Sequence, residues 1–132
     1  MTLFVDASAL VAILAEEEER DAFTSAIRDD PAPLWSAMSC WESVSSLRRS
    51  YGWPIERARH EVEAVTIAAG LALVPIGVAE LQMALDAYQT YGRNSAHPAK
   101  LNMGDCFAYA CAKTNNARLL YKGDDFSHTD LA

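Results

Sequence analysis

With 132 residues and a hydrophobic share of 51%, the chain is long and apolar enough to fold as one domain, 1–132, around its own core without disulfide or metal staples. A formal net charge of −7 excludes nucleic-acid binding through the overall field, so such a partner must be met by a local basic surface or by bound cations. Three cysteines, Cys40, Cys106 and Cys111, with no CxxC spacing, exclude a disulfide framework and a cysteine zinc site and read as buried free thiols.

The opening TLFV, residues 2–5, reads as a short buried strand that Asp6 stops. No basic segment precedes it, so it is not read as a signal peptide. From Ser8 to about Glu18 the pattern is helical, with Leu10, Ile13 and Leu14 on one side. The acidic run Glu16–Glu19 at its end is unfavourable for the helix dipole and reads as a solvated face. A helix over about Arg20–Arg28 ends at Asp29-Asp30-Pro31, and Leu34–Ala37 is a second short strand. Ser39 is the expected N-cap of a helix running to about Tyr51, with Cys40, Val44, Leu47 and Tyr51 as its apolar stripe and Gly52 as its stop. Pro54 opens the next helix, to about Ala69, with Gly70 behind it. Leu71–Ile76 is a third strand; Glu63, Gly70 and Pro75 interrupt the apolar stretch Val62–Ile76, which therefore reads as no membrane span. Gly77 leads into a helix over Val78–Tyr91, and GRNSAHPAK (92–100) is a loop. LNMGDCFAYACAK begins a helix reaching about Thr114, and Ala117–Tyr121 is a fourth strand. Lys122–Phe126 is its turn, and the tail is expected to add a stub of a last strand. Short apolar strands alternating with helices predict an α/β fold with a mostly parallel sheet.

In such sheets, sites form outside the carboxyl ends of the strands. Asp6 ends the first strand, Asp124 follows the last, and Glu42 and Asp105 lie in the first turns of helices that start from the same rim. Each has a local explanation. Asp6 is a preferred N-cap; Glu42 and Asp105 suit a helix start; Asp124 and Asp125 suit a turn. The local explanations do not account for four carboxylates at one rim, where each pair at about 4 Å repels by about 1 kcal/mol in bulk water and more at lower dielectric. A hard divalent cation relieves that repulsion, and an all-oxygen donor set suits Mg²⁺ or Mn²⁺ rather than zinc. No GxSxG, phosphate loop or GxGxxG competes, and His60, His97 and His128 have no metal spacing. Of Arg48, Arg49, Lys100, Lys113 and Lys122, most read as surface charge, with Arg48, Arg49 and Lys100 the candidates for guiding a phosphate backbone.

The segments LFVDASALVAIL, SCWESVSSLRR, LNMGDCFAYACAK and LLYKGDDFSHTDL, in this order and over nearly the whole chain, resemble the four signature regions of PIN-domain proteins, with the VapC-type toxins of toxin–antitoxin pairs as the nearest likeness. The resemblance implies an α/β/α sandwich and carries the family's acidic positions to Asp6, Glu42, Asp105 and Asp124, with Asp125 one register away. It carries the small hydroxyl residue that accompanies the first aspartate to Ser8. It implies a Mg²⁺-dependent endoribonuclease, with Mn²⁺ able to substitute, that cuts cellular RNA such as tRNA or rRNA. It also implies a cognate VapB-type antitoxin, a homodimer, a cytoplasmic location and no membrane partner. On this reading Asp6 and Asp105 hold the metal, Glu42 and Asp124 complete the site, and Arg48, Arg49 and Lys100 bind RNA.

Two other readings stay open. A phosphatase with Asp6 as nucleophile would want a second aspartate two residues on, where Ser8 stands. A catalytically silent PIN-like module for RNA or protein binding is the other, although all four acidic positions are filled.

Overall fold

The computed structural model describes residues 2–132. In chain order it holds β1 (Leu3–Val5), α1 (Ala7–Leu14), α2 (Arg20–Asp29), β2 (Leu34–Ser36), α3 (Ala37–Tyr51), α4 (Ile55–Ala68), β3 (Ala72–Val74), α5 (Val78–Tyr91), α6 (Met103–Thr114) and β4 (Arg118–Leu120). The strands form one parallel sheet in the order β3-β2-β1-β4. Phe4 pairs with Leu119 on one side and Leu34 on the other, and Asp6 N–H extends the ladder past β1 by donating to Leu120 O at 3.0 Å.

Successive strand residues face opposite ways, and this splits the core in two. Phe4 and Leu119 pack with Ala84, Ala87, Cys106, Tyr109, Ala110 and Phe126, under α5 and α6. Val5 and Trp35 pack with Leu10, Ile27, Leu47, Ala58 and Val62, under α1–α4. The result is the expected α/β/α sandwich. Small residues line α6 (Ala108, Ala110 and Ala112 are all buried), so the helix sits close on the sheet. Cys106 and Cys111 are buried free thiols and Cys40 is a half-buried one. No helix among the described residues is long and apolar enough to cross a membrane.

Several expected boundaries move. The helix expected to start after Ser39 is capped one turn earlier by Ser36, whose Oγ accepts Ser39 N–H at 3.2 Å. Ser39 returns the favour at the third helical position, so both serines take part in one capping box. The first helix stops at Leu14 rather than Glu18, because the chain turns sharply at Glu16 (φ 55°). The acidic run is not simply a solvated face: Glu17 and Glu19 both pair with Lys122, at 2.8 and 3.2 Å. The tail forms no fifth strand among the described residues. It turns back over the sheet edge, and Asp130 takes the Tyr109 hydroxyl at 2.7 Å and an ion pair from Lys113.

Candidate active site

The strand order creates one crevice by topology. From β1 the chain steps outward to β2 and β3, then returns to lay β4 on the other side of β1. The reversal falls between β1 and β4, and ligands of open α/β sheets bind where such a reversal separates the carboxyl ends. Asp6 leaves β1 at that point, and the turn Lys122–Phe126 leaves β4 beside it.

Asp6 is both a cap and a site residue. Its Oδ2 accepts Ser8 N–H at 3.0 Å and Ser8 Oγ–H at 2.6 Å, which fixes the carboxyl group at the N-terminus of α1. Burial pushes its ionisation above the ordinary carboxylate range; the Ser8 bonds oppose that rise and the charge of Glu42 adds to it. Asp105 is built the same way at the start of α6. Asn102 Oδ1 accepts Asp105 N–H at 2.9 Å, and Asp105 Oδ2 accepts Asn102 N–H at 3.1 Å. This capping box leaves the carboxyl buried, so burial pushes it up to about 8. The Asn102 bond works against the rise, while the charges of Asp125 and Asp6 add to it.

Glu42 enters from α3, on the side away from the Cys40–Val44–Leu47 stripe. It lines a narrow cleft with Asp6, Ser36, Ser39 and Gly104. Gly104 is what admits it: a Cβ built there would stand 2.8 Å from Glu42 Cδ and 3.0 Å from its Oε1. The significance of this glycine as a point of close approach between α3 and α6 was not readable from its position beside Asp105. Only the packing of two helices distant in sequence reveals it.

For the fourth carboxylate, the Gly-Asp-Asp doublet leaves Asp124 and Asp125 one position apart. Asp125, not Asp124, is the carboxylate whose charge raises the ionisation of Asp105. Asp124 is exposed, and its backbone carbonyl accepts Ser127 N–H at 3.1 Å and Ser127 Oγ–H at 2.6 Å, closing the turn. Gly123, at φ +95°, opens this turn in a conformation that glycine adopts readily. Glu42 and Asp6 share one cleft, and the carboxyl groups form an electrostatic row, Glu42–Asp6–Asp105–Asp125, in which the charge of each acts on a neighbour.

The expected cations are less uniform. Lys122 is committed to Glu17 and Glu19, and Lys113 to Asp130. Arg48 and Arg49 line a separate cleft of about 690 Å³ with Trp41, Val44 and Ile55, and Arg49 donates to Ser45 and Ser46 of its own helix. Lys100 is exposed, two residues before the cap of α6. His97 is structural: its Nδ1 accepts Ala99 N–H at 3.1 Å and its ring meets Tyr91 edge-on at 4.8 Å.

No three carboxyl, imidazole or thiol groups among the described residues converge on one point as a finished metal site would. The chemistry of the row accounts for this. With no cation, burial first and then the neighbouring carboxylates favour a proton on Asp105. The donor set itself fits a hard divalent cation, which takes carboxylate oxygens and would displace that proton.

A family model described as PIN domain matches residues 3–131. The chain is a PIN-domain protein. It is 38% identical over 130 residues to VapC ribonuclease Mb0640 of Mycobacterium bovis, covering 98% of this chain and 96% of that protein. It is 39% identical over 139 residues to VapC ribonuclease R02377 of Rhizobium meliloti, covering 97% of this chain and 98% of that protein. Among solved structures, Mycobacterium tuberculosis VapC20, described as a sarcin-ricin loop cleaving toxin, superposes with a TM-score of 0.73 over 95% of this chain and 92% of its own. At 16% identity that likeness concerns the fold. This PIN domain therefore has VapC ribonucleases as full-length relatives.

Proposed function

We propose that this PIN domain is a divalent-cation-dependent endoribonuclease, the toxin of a VapBC-type toxin–antitoxin pair. The observation that carries the reading is the row Glu42–Asp6–Asp105–Asp125 at the β1/β4 crevice, in a chain whose full-length relatives are VapC ribonucleases.

Bound Mg²⁺ or Mn²⁺ supplies a water of lowered pKa and offsets charge on the phosphoryl oxygens during in-line displacement. Asp6 and Asp105 are the residues that hold it, giving up the protons that burial favours. Ser8 and Asn102 orient those two carboxyl groups from behind, in the manner that tunes first ligands in metal sites. Glu42, threaded past Gly104, and Asp125, at the solvent edge, complete the site. Asp125 carries the role that the sequence alone gave to Asp124. Its exposed carboxylate accepts the proton of the attacking water.

The substrate is structured cellular RNA of the tRNA or rRNA class, held by Lys100 near the site and by Arg48 and Arg49 farther along α3. An acidic chain of net charge −7 meets RNA through cations at this rim rather than through its overall field. A cognate antitoxin, a homodimeric assembly and a cytoplasmic setting belong to the same reading.

The test is cleavage of purified tRNA and rRNA by the full chain, with EDTA and with Mn²⁺ restored, alongside Asp6→Asn and Asp105→Asn. Cutting is expected to disappear with EDTA and in both variants, while calorimetry shows Mn²⁺ binding to the unmodified chain. Undiminished cutting by the two variants would overturn the assignment of the site. Mn²⁺ binding without any cutting would favour the silent binding module.

A further inference from the structure

Resting on the reading of the acidic row as a metal site, we propose that Lys122 is a positioning residue, holding the Asp125 turn against the start of α1, beside Asp6, through its ion pairs with Glu17 and Glu19. Asp125 belongs to an exposed turn that has no sheet partner. Beyond Asp125 the turn is anchored by Phe126, 2% exposed and edge-on to Tyr121 at 5.1 Å. Before Asp125, Asp124 O closes the turn on Ser127, and Lys122 ties it to the rest of the fold. Its backbone N–H donates to Ser8 Oγ at 2.9 Å, the same hydroxyl that donates to Asp6. Its ammonium reaches Glu17 Oε1 at 2.8 Å and Glu19 Oε1 at 3.2 Å.

The far side of this clamp is stiff. Glu17 N–H donates to Ala12 O at 2.8 Å and Glu17 O accepts Arg20 N–H at 3.0 Å, so the turn between α1 and α2 fixes the carboxylate. The Tyr51 hydroxyl, at the end of α3, donates to Glu17 Oε2. One lysine therefore ties the Asp125 turn to α1, α2 and α3. The same pairing keeps the ammonium off the acidic row, where an unpaired lysine would compete with a cation for the carboxylates.

An exposed ion pair contributes little to global stability, so the effect should appear at the site and not in the melting temperature. The experiment is Mn²⁺ calorimetry on the full chain and on Lys122→Gln, Lys122→Arg, Asp125→Asn and the Lys122→Gln/Asp125→Asn double variant, with amide hydrogen exchange on the metal-free proteins. Lys122→Gln is expected to weaken Mn²⁺ binding about 10- to 100-fold, the range for residues behind a metal ligand. Lys122→Arg should keep most of the affinity. The double variant should bind no more weakly than Asp125→Asn, and the amides of Lys122 and Ser127, which donate to Ser8 Oγ and to Asp124 O, should exchange faster in Lys122→Gln. Unchanged exchange in Lys122→Gln, or a loss of affinity that adds to that of Asp125→Asn, would overturn the proposal. If the unmodified chain bound no Mn²⁺, the metal-site reading would fall, and the exchange measurement would still decide whether Lys122 holds the turn.

Discussion

Gly104→Ala is the substitution in which this packing separates stability from activity. Gly104 lies inside α6 and is not among the left-handed glycines, so its backbone accepts alanine. The added methyl would stand 2.8 Å from Glu42 Cδ, 3.0 Å from Oε1 and 3.2 Å from Cγ. Carbon atoms prefer about 3.5–4.0 Å, so the Glu42 carboxyl must move by up to about 1 Å. It is the end of a flexible side chain, and leaving its rotamer costs about 0.5–1.5 kcal/mol. Alanine in place of glycine within a helix returns about 0.5–1 kcal/mol. The two nearly cancel, and the melting temperature should stay within a few degrees of the unmodified protein. Cleavage should fall by about 10- to 100-fold, because Glu42 leaves the row beside Asp6. The assay is RNA cleavage at saturating Mn²⁺ for Gly104→Ala, Glu42→Gln and the double variant, paired with thermal melts. Since Gly104 acts only by admitting Glu42, the double variant should be no worse than Glu42→Gln. Wild-type cleavage by Gly104→Ala would refute the reasoning, as would losses that add in the double variant. A large drop in melting temperature would show that the clash falls on the α3–α6 contact and not on the carboxyl.

Asp125→Asn should abolish most cleavage while Asp124→Asn leaves it near the unmodified rate; the reverse result would restore the register expected from the sequence. The Asp105 carboxyl gives the metal-free protein a pH-dependent stability: folded it titrates at about 8, against an ordinary value of 3.8. The folded state keeps that proton to higher pH, so the contribution is fully present below about 3.8 and is lost as pH rises through about 8. Thermal melts from pH 4 to 9 without metal should therefore fall relative to Asp105→Asn, and Mn²⁺ should raise the melting temperature more as pH rises. Parallel profiles for the two proteins would contradict this. Leu47→Ala, at a fully buried position between α3 and the helices below it, should destabilise by about 2–5 kcal/mol. Chemical denaturation measures that loss directly, and a change near zero would mean the core relaxes into the space.

What could be read from the sequence was whatever local pattern dictates. Leu3–Val5 is apolar and ends in a carboxylate, so both the strand and Asp6 were visible. The helix stripes, Gly52 as a stop and Gly77 as a lead-in follow from spacing and turn chemistry, and the structure keeps them. Other features depend on partners far away in the chain. Glu17 and Glu19 looked like solvated acids because Lys122 lies more than a hundred positions downstream. Ser36 and Ser39 form a symmetrical capping box, so either could be taken for the cap; only the backbone of Ser36, extended at φ −134°, decides. The choice between Asp124 and Asp125 rests on which carboxylate's charge acts on Asp105, which a Gly-Asp-Asp doublet does not encode.

The same distinction explains how so acidic a row persists in a folded domain. Asp6 and Asp105 each serve as helix-start residues with hydrogen bonds that would stabilise an N-terminus wherever it occurred. Those bonds place the two carboxyl groups through local structure, with no part of the arrangement supplied by a cation. Glu42 and Asp125 have no such local support. One is admitted by a missing Cβ at Gly104, the other sits on a turn clamped by Lys122. Glu42 was legible in the sequence along with Asp6 and Asp105, but only the latter two are carboxylates that local structure needs anyway. Those that complete the site are held by long-range contacts, and substitutions at Gly104 and Lys122 should remove function while the helices and the sheet remain.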